Sequence, residues 1–265
     1  SKKQTLPLNN AWEVYSKHPE RATPATVSEQ NAYKATLDEF INYIDDKSAN
    51  IDEISPEITN EFADFLRGKE IAVETHNRKI RRLKKMFEVL KEYRNTDNPF
   101  IASSLRRKER EEQDYMVQRQ SFSREQELEI LKVLDDDIHF VKNKSEIRVV
   151  FNIGMFTGQR LKDCVLLRWE SVDLKKNKIW VRQFKTGKKV TIPIAPELRA
   201  VLIEAKTWKT NQYVTPKVAK RYNGTDKAGK NIGANLVDID VLRVIKWVGV
   251  EPAVKVAGRK KKVSV

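Results

Sequence analysis

Through the first hundred residues the apolar positions recur at three- and four-residue steps, so this half reads as helices only. A short helix is predicted over about Leu8–Lys17, ending before Pro19. A longer one starts after Thr26 and places Ala32, Ala35, Leu37, Phe40, Ile41 and Ile44 near one face. Ser55-Pro56-Glu57 is a helix start, with serine as N-cap, proline at the first helical position and an acid in the first turn. That helix carries Ile58, Phe62, Phe65 and Leu66 and is expected to stop near Gly68. A fourth, about Val73–Arg94, has an apolar stripe of Ile80, Leu83, Phe87 and Leu90. Asn98-Pro99 marks the end of this domain, because proline pushes the residue before it out of helical geometry.

Residues 101–121 are charged and poor in apolar side chains, which reads as a linker, part-helical at most. From Phe122 a second pattern begins. Ser123 with Gln126 three residues on resembles a capping box for a helix through Leu134. Helices are predicted over about Ser145–Phe156 and Leu161–Trp169. The period then shortens to two: Lys178–Phe184 alternates through Ile179 and Val181, and Lys189–Ile194 through Val190, Ile192 and Ile194. Lys185-Thr186-Gly187-Lys188 lies between them as a hairpin turn. A helix from Pro196-Glu197, a Gly/Asn/Lys-rich loop (Tyr222–Ala234), a helix near Val237–Val248 and a basic end, Arg259–Lys262, complete the chain.

Charge changes this picture. The chain carries 51 Lys and Arg against 37 Asp and Glu, a formal net charge of +14. Residues 1–121 hold 21 basic and 21 acidic side chains, whereas 122–265 hold 30 and 16. A domain this basic attracts polyanions, of which nucleic acid is the commonest. Neutrality of the first half hides one basic helix: Arg78, Lys79, Arg81, Arg82, Lys84 and Lys85 crowd the start of the fourth helix with few acids nearby in sequence. This face is a candidate DNA contact, against the alternative of a solvated surface. The single cysteine, Cys164, forms no internal disulfide. Apolar runs such as Val149-Val150-Phe151 are too short to cross a membrane, and the start reads as no secretion signal, so a cytoplasmic location is expected.

Several chemistries are excluded by motif. No Gly-x-x-x-x-Gly-Lys-Ser/Thr or Gly-x-Gly-x-x-Gly is present. Three scattered histidines and one cysteine make no zinc site, and no cofactor is expected. Asp135-Asp136-Asp137 reads as a helix end with solvated acids rather than a cation site.

The run from Gly154 through Thr157-Gly158-Gln159-Arg160 to Leu167-Arg168-Trp169 and Asp173 resembles the first active-site box of the tyrosine recombinases, the phage integrase family. Behind it, Phe184-Lys185-Thr186-Gly187-Lys188 with Val190–Ile194 is similar to that family's lysine-bearing β-hairpin. The four helices and Asn-Pro exit upstream resemble its core-binding domain. The resemblance implies a mainly α chain: an all-α four-helix core-binding (SAM-like) domain over 1–99, a charged linker over 100–121, and an α+β catalytic domain with a small antiparallel β-sheet over 122–265.

It also implies site-specific breakage and rejoining of DNA through a 3′-phosphotyrosyl link, without metal or ATP. Such chemistry needs charge stabilisation at a five-coordinate phosphorus. Arg160 matches the arginine in that role, since its planar fork is always charged. Lys185 matches the lysine that protonates the leaving 5′-oxygen, with Lys188 and Lys189 as rivals whose ordinary reading is phosphate contact or solvation. Asp163 matches an acidic position, expected on the face of Arg160 and orienting basic neighbours, with a surface ion pair as the alternative. Arg78, Lys79, Arg81, Arg82, Lys85 and Lys188 are the candidate DNA-binding residues.

The family also uses a His-x-x-Arg box, a further His or Trp, and a tyrosine nucleophile. No histidine follows His139, and Tyr213 and Tyr222 precede where that box is due. The expectation is therefore a catalytic domain missing its C-terminal part, with no nucleophile in this chain. The second reading is a naturally short, non-catalytic DNA-binding protein derived from an integrase. The implied partner is double-stranded DNA, with four protomers in the full-length assembly and a monomer for this chain. The implied setting is the cytoplasm of a bacterium, at the nucleoid, on phage or other mobile DNA.

Overall fold

The computed structural model describes residues 4–21, 26–46, 48–69, 71–111 and 121–251, and the backbone of 253–256 and 259–262. The chain divides into two compact units, Ser1–Met116 and Val117–Val265, each with its own apolar core.

The first unit is four helices: α1 (Leu8–Lys17), α2 (Val27–Ile44), α3 (Pro56–Gly68) and α4 (Val73–Val89). The Ser55 cap read from sequence forms, and Thr26, where the second helix is expected to start, also acts as a cap. Thr26 Oγ1 accepts the Glu29 amide at 3.2 Å, and Ser55 Oγ accepts that of Ile58 at 3.4 Å. Phe40, Phe62, Phe87 and Phe100 form the centre of the core, with Phe40–Phe62 and Phe87–Phe100 edge-to-face at 4.9 Å.

The fourth helix is shorter than predicted. It stops at Val89, a 3-10 turn follows over Lys91–Tyr93, and Arg94 is extended at φ −122° and ψ 141°. Tertiary contacts explain the stop. The Arg94 guanidinium is buried and donates to the carbonyls of Ile51, Ile54 and Asp97, which an ongoing helix would turn it away from.

The expected domain end at Pro99 also moves. Phe100 and Leu105 are both 1% exposed and belong to the first core. The buried His76 Nε2 donates to the Leu105 carbonyl at 2.8 Å, and Asn77 exchanges two hydrogen bonds with the Arg107 backbone. The first part of the expected linker therefore packs on the first unit, and its remainder, 112–120, lies outside the described residues.

In the second unit α5 (Arg124–Asp135) opens with both halves of the Ser123/Gln126 capping box, and α6 (Lys144–Thr157) is central. It packs against α5, the five-residue α7 (Leu161–Val165), α8 (Pro196–Lys206) and α9 (Pro216–Tyr222). Glu146 on α6 is buried and accepts the Lys217 and Val218 amides at 3.2 and 2.8 Å, satisfying the start of α9. Gly158, at φ +62°, closes α6.

Strands β1 (Val172–Asp173), β2 (Lys178–Arg182) and β3 (Lys189–Pro193) make an antiparallel sheet in that order. Ile179 faces Ile192 and Val181 faces Val190. Ile179 and Val181 are buried, while Lys178, Trp180 and Arg182 are exposed.

Three features of this unit differ from the sequence reading. The helix from Leu161 ends at Val165 instead of Trp169, because Leu167 and Trp169 hydrogen-bond Val214 and Gln212 and draw the chain out of helical geometry. The last helix, α10, spans Gly233–Trp247 and so starts four residues early. A Cβ at Gly233 would lie 1.8 Å from the Arg221 carbonyl oxygen, so only glycine permits the close approach of α10 to the end of α9. The basic end is a hairpin, β4 (Ala253–Val256) with β5 (Arg259–Lys262), which the sequence did not announce. Among the described residues no helix is long and apolar enough to cross a membrane.

Candidate phosphate-binding site

On α4, Arg78, Arg81, Arg82 and Lys85 fall at positions three and four apart and share one face. Their charges are less isolated than the sequence suggested. Glu74 accepts Arg78 at 3.3 Å and Arg81 at 2.7 Å. Arg82 donates to Thr36 Oγ1 at 3.3 Å and lies over the Tyr33 ring. Lys79 turns away toward α2, where it and Lys69 both bond the Glu39 carboxylate. Lys85 is exposed with no acid partner among the described residues. The expectation of few acids nearby is thereby corrected: Glu74 in the first turn of α4 pairs locally with Arg78 and Arg81, and Glu39 on α2 reaches Lys79 from forty residues away.

In the second unit Arg160 is the N-cap residue of α7, with φ −70° and ψ 153°, and its carbonyl accepts the Cys164 amide. Its side chain is exposed and meets no acid among the described residues. Cys164 beneath it is buried, and burial pushes its thiol up to about 12, so it carries no reactivity at neutral pH.

Asp163 departs from expectation. It is 3% exposed and forms no ion pair among the described residues; its Oδ1 accepts the Phe184 amide at 2.9 Å. Its Oδ2 has no hydrogen-bond partner among the described residues. Asp163 therefore holds the hairpin backbone one residue before Lys185, and its burial removes the alternative of a surface ion pair. A groove of about 470 Å³ beside it is lined by Arg168, Glu170, Trp180, Arg182 and Phe184.

Lys185 and Lys188 are both exposed in the β2–β3 turn. The turn is closed by Gly187, at φ +67°, whose amide reaches the Gln183 carbonyl at 2.8 Å. Three contacts outside the hairpin tie its base to the segment around Arg160. Besides Asp163, Gln183 Nε2 donates to Gln159 Oε1 at 3.1 Å, and the Lys162 ammonium sits 4.4 Å from the Phe184 ring centroid. Sequence reasoning missed Gln159, Lys162, Gln183 and Phe184; only their immediate adjacency to Arg160 and Lys185 hinted at a role.

Tyr222 is half-buried, and burial together with Asp238 and Asp163 raises its hydroxyl above the usual tyrosine range. Tyr213 lies under the Arg168 guanidinium, and a β-bridge joins its backbone to that of Arg168. The acids at the end of α5 lie at the surface, Asp135 and Asp137 exposed, and two of them also find partners. Asp135 pairs with Arg148 at 2.6 Å, and Asp136 accepts the His139 and Ile138 amides and Lys144. Among the described residues no three His, Cys, Asp or Glu side chains gather where they could hold a metal ion.

The model of the phage integrase family matches residues 120–225, and that of the phage integrase SAM-like domain matches residues 8–95. No curated protein matches the chain. The fold is similar to that of the lambda integrase tetramer bound to a Holliday junction, with a TM-score of 0.64, 14% identity, and coverage of 93% of this chain and 65% of that one. It is also similar to the Tn1549 transposon integrase (residues 82–397) in complex with circular intermediate DNA, with a TM-score of 0.64, 14% identity, and coverage of 92% and 79%. The lambda integrase(75–356) dimer bound to a COC′ core site gives 0.65, 15%, and coverage of 93% and 80%. The chain thus spans 65% of the lambda integrase chain of the tetramer. With a SAM-like helical domain followed by the arginine-and-hairpin arrangement of the second unit, the chain belongs to the phage integrase family of tyrosine recombinases.

Proposed function

We propose that this chain is the DNA-engaging portion of a site-specific recombinase, closing on duplex DNA as a two-domain clamp. The helical core-binding domain holds phosphates through Arg78, Arg81, Arg82 and Lys85, and the catalytic domain places Arg160 and Lys185 at the scissile phosphate. The division into a helical domain, a linker and a catalytic domain from 122 is carried into this reading, with the first domain extended past Pro99 to include Phe100 and Leu105. The carrying observation is the pairing of an exposed Arg160, which meets no acid among the described residues, with a lysine hairpin bonded to the same segment through Asp163.

In the proposed reaction a tyrosine oxygen forms a bond to phosphorus as the bond to the 5′-oxygen breaks. Arg160 stabilises the charge on the non-bridging oxygens, and Lys185 Nζ gives the departing oxygen its proton. No metal or other cofactor is required by these roles. Tyr213 and Tyr222 precede the place where the family's nucleophile falls, so the chain as given binds DNA without forming a covalent link. On DNA the assembly is a tetramer, as in the lambda integrase structure bound to a Holliday junction; without DNA this chain is a monomer, acting in the cytoplasm.

The test is duplex binding across a salt series, with denaturing gels for adducts. Affinity is expected to fall on the order of a hundredfold between 50 and 200 mM salt as condensed counterions are released. Salt-independent binding would remove the electrostatic basis of the reading, and a detergent-resistant adduct would show that this chain does carry a nucleophile.

A further inference from the structure

The β2–β3 ladder ends at the pair Arg182 and Lys189, so residues 183–188 lie beyond the strand register. Bonds within this tip set its shape: Gln183 N to the Lys188 carbonyl, Gly187 N to the Gln183 carbonyl, and Thr186 Oγ1 to Gln183 Oε1. None of them sets its direction. That is left to contacts with other elements, and among the described residues three such contacts go to residues 159, 162 and 163, which bracket Arg160.

We propose that Gln159, with Gln183 and Phe184, forms a latch that positions Lys185 by fastening the hairpin tip to the turn bearing Arg160. Gln183 serves both parts, closing the tip through its side-chain oxygen and joining Gln159 through its side-chain nitrogen. Phe184 likewise has its amide on Asp163 and its ring under Lys162, although the residue is 57% exposed. An exposed phenylalanine held by a cation keeps its place without being buried. The functional meaning of the latch rests on the proposed role of Lys185, whereas its existence does not.

Amide hydrogen exchange, read residue by residue by NMR on the whole chain without DNA, tests it. In Gln159→Leu the Phe184 and Gly187 amides are expected to exchange about tenfold faster, the worth of one lost hydrogen bond. The β2 amides of 178–182 should keep their rates. Gln159→Glu retains the acceptor oxygen and should restore protection at the tip. Equal acceleration along β2 and β3, no acceleration at the tip, or failure of glutamate to restore it would each overturn the latch. Duplex binding by Lys185→Ala is a separate arm: unchanged affinity and salt slope there would count against the role of Lys185 and leave the latch standing.

Discussion

Glu74 takes up the guanidinium groups of Arg78 and Arg81 and Glu39 takes up Lys79, whereas Arg160, Lys185 and Lys188 meet no acid among the described residues. The first set stands on a seventeen-residue helix with a buried apolar stripe. The second stands at the cap of a five-residue helix and in a hairpin turn. A paired, rigid face suits tracking of a regular phosphate backbone, because exposed ion pairs are weak and their acids yield to phosphate at little cost. Unpaired cations on short elements suit one phosphate whose charge rises during reaction, where competing carboxylates would cancel the field.

The comparison breaks most visibly if the α4 face is neutralised. Replacing Arg78, Arg81, Arg82 and Lys85 by glutamine is expected to weaken duplex binding by roughly two orders of magnitude and reduce the salt slope by about three to four. An unchanged slope, measured by fluorescence anisotropy, would return this face to the solvated-surface reading. Arg160→Ala should cost about tenfold, the worth of a charge-assisted contact to a single phosphate, with the slope falling by about one. A loss as steep as that of the α4 variant would mean that Arg160 is no more local than the helix.

The sharpest test runs the other way. Glu74→Gln frees Arg78 and Arg81, so binding should strengthen by roughly two- to threefold at low salt. Weaker binding would mean that Glu74 orients the arginines instead of competing for them.

The smallest effect separates the two cores by pH. Burial lowers the His76 pKa from 6.5, so the unfolded chain takes up the proton first. Its contribution to stability is complete above 6.5 and is lost as pH falls below that value. Burial raises the Glu146 pKa from 4.5, so there the folded state takes up the proton first, and its share grows as pH falls toward 4.5. Urea unfolding of His76→Gln between pH 7.5 and 5.5 should show a flatter slope than the parent chain, and Glu146→Gln should lose the opposite trend below pH 6. Parallel slopes for parent and variants would remove both assignments.

Much of this was legible from sequence because it is local. Thr26, Ser55 and Ser123 cap helices by bonding amides three residues away, and Ile179 and Val181 alternate because strands do. Where the reading failed, distant partners had intervened. Arg94 ends α4 by reaching Ile51 and Ile54, and Val214 and Gln212 end α7. Leu105 and Phe100 look like linker until His76 and the phenylalanine cluster receive them.

The site divides in the same way. Arg160 and Lys185 could be named from sequence, since Thr-Gly-x-Arg and the hairpin lysine are short patterns whose chemistry follows from their side chains. Tertiary structure alone decided that Asp163 is buried against the Phe184 amide, that Glu39 draws off the charge of Lys79, and that Gln159 meets Gln183. The physical reason is one of range. Periodicity and capping are written within a few residues, whereas the partner of a buried or charged group is set by whichever distant segment packing brings within about 3 Å.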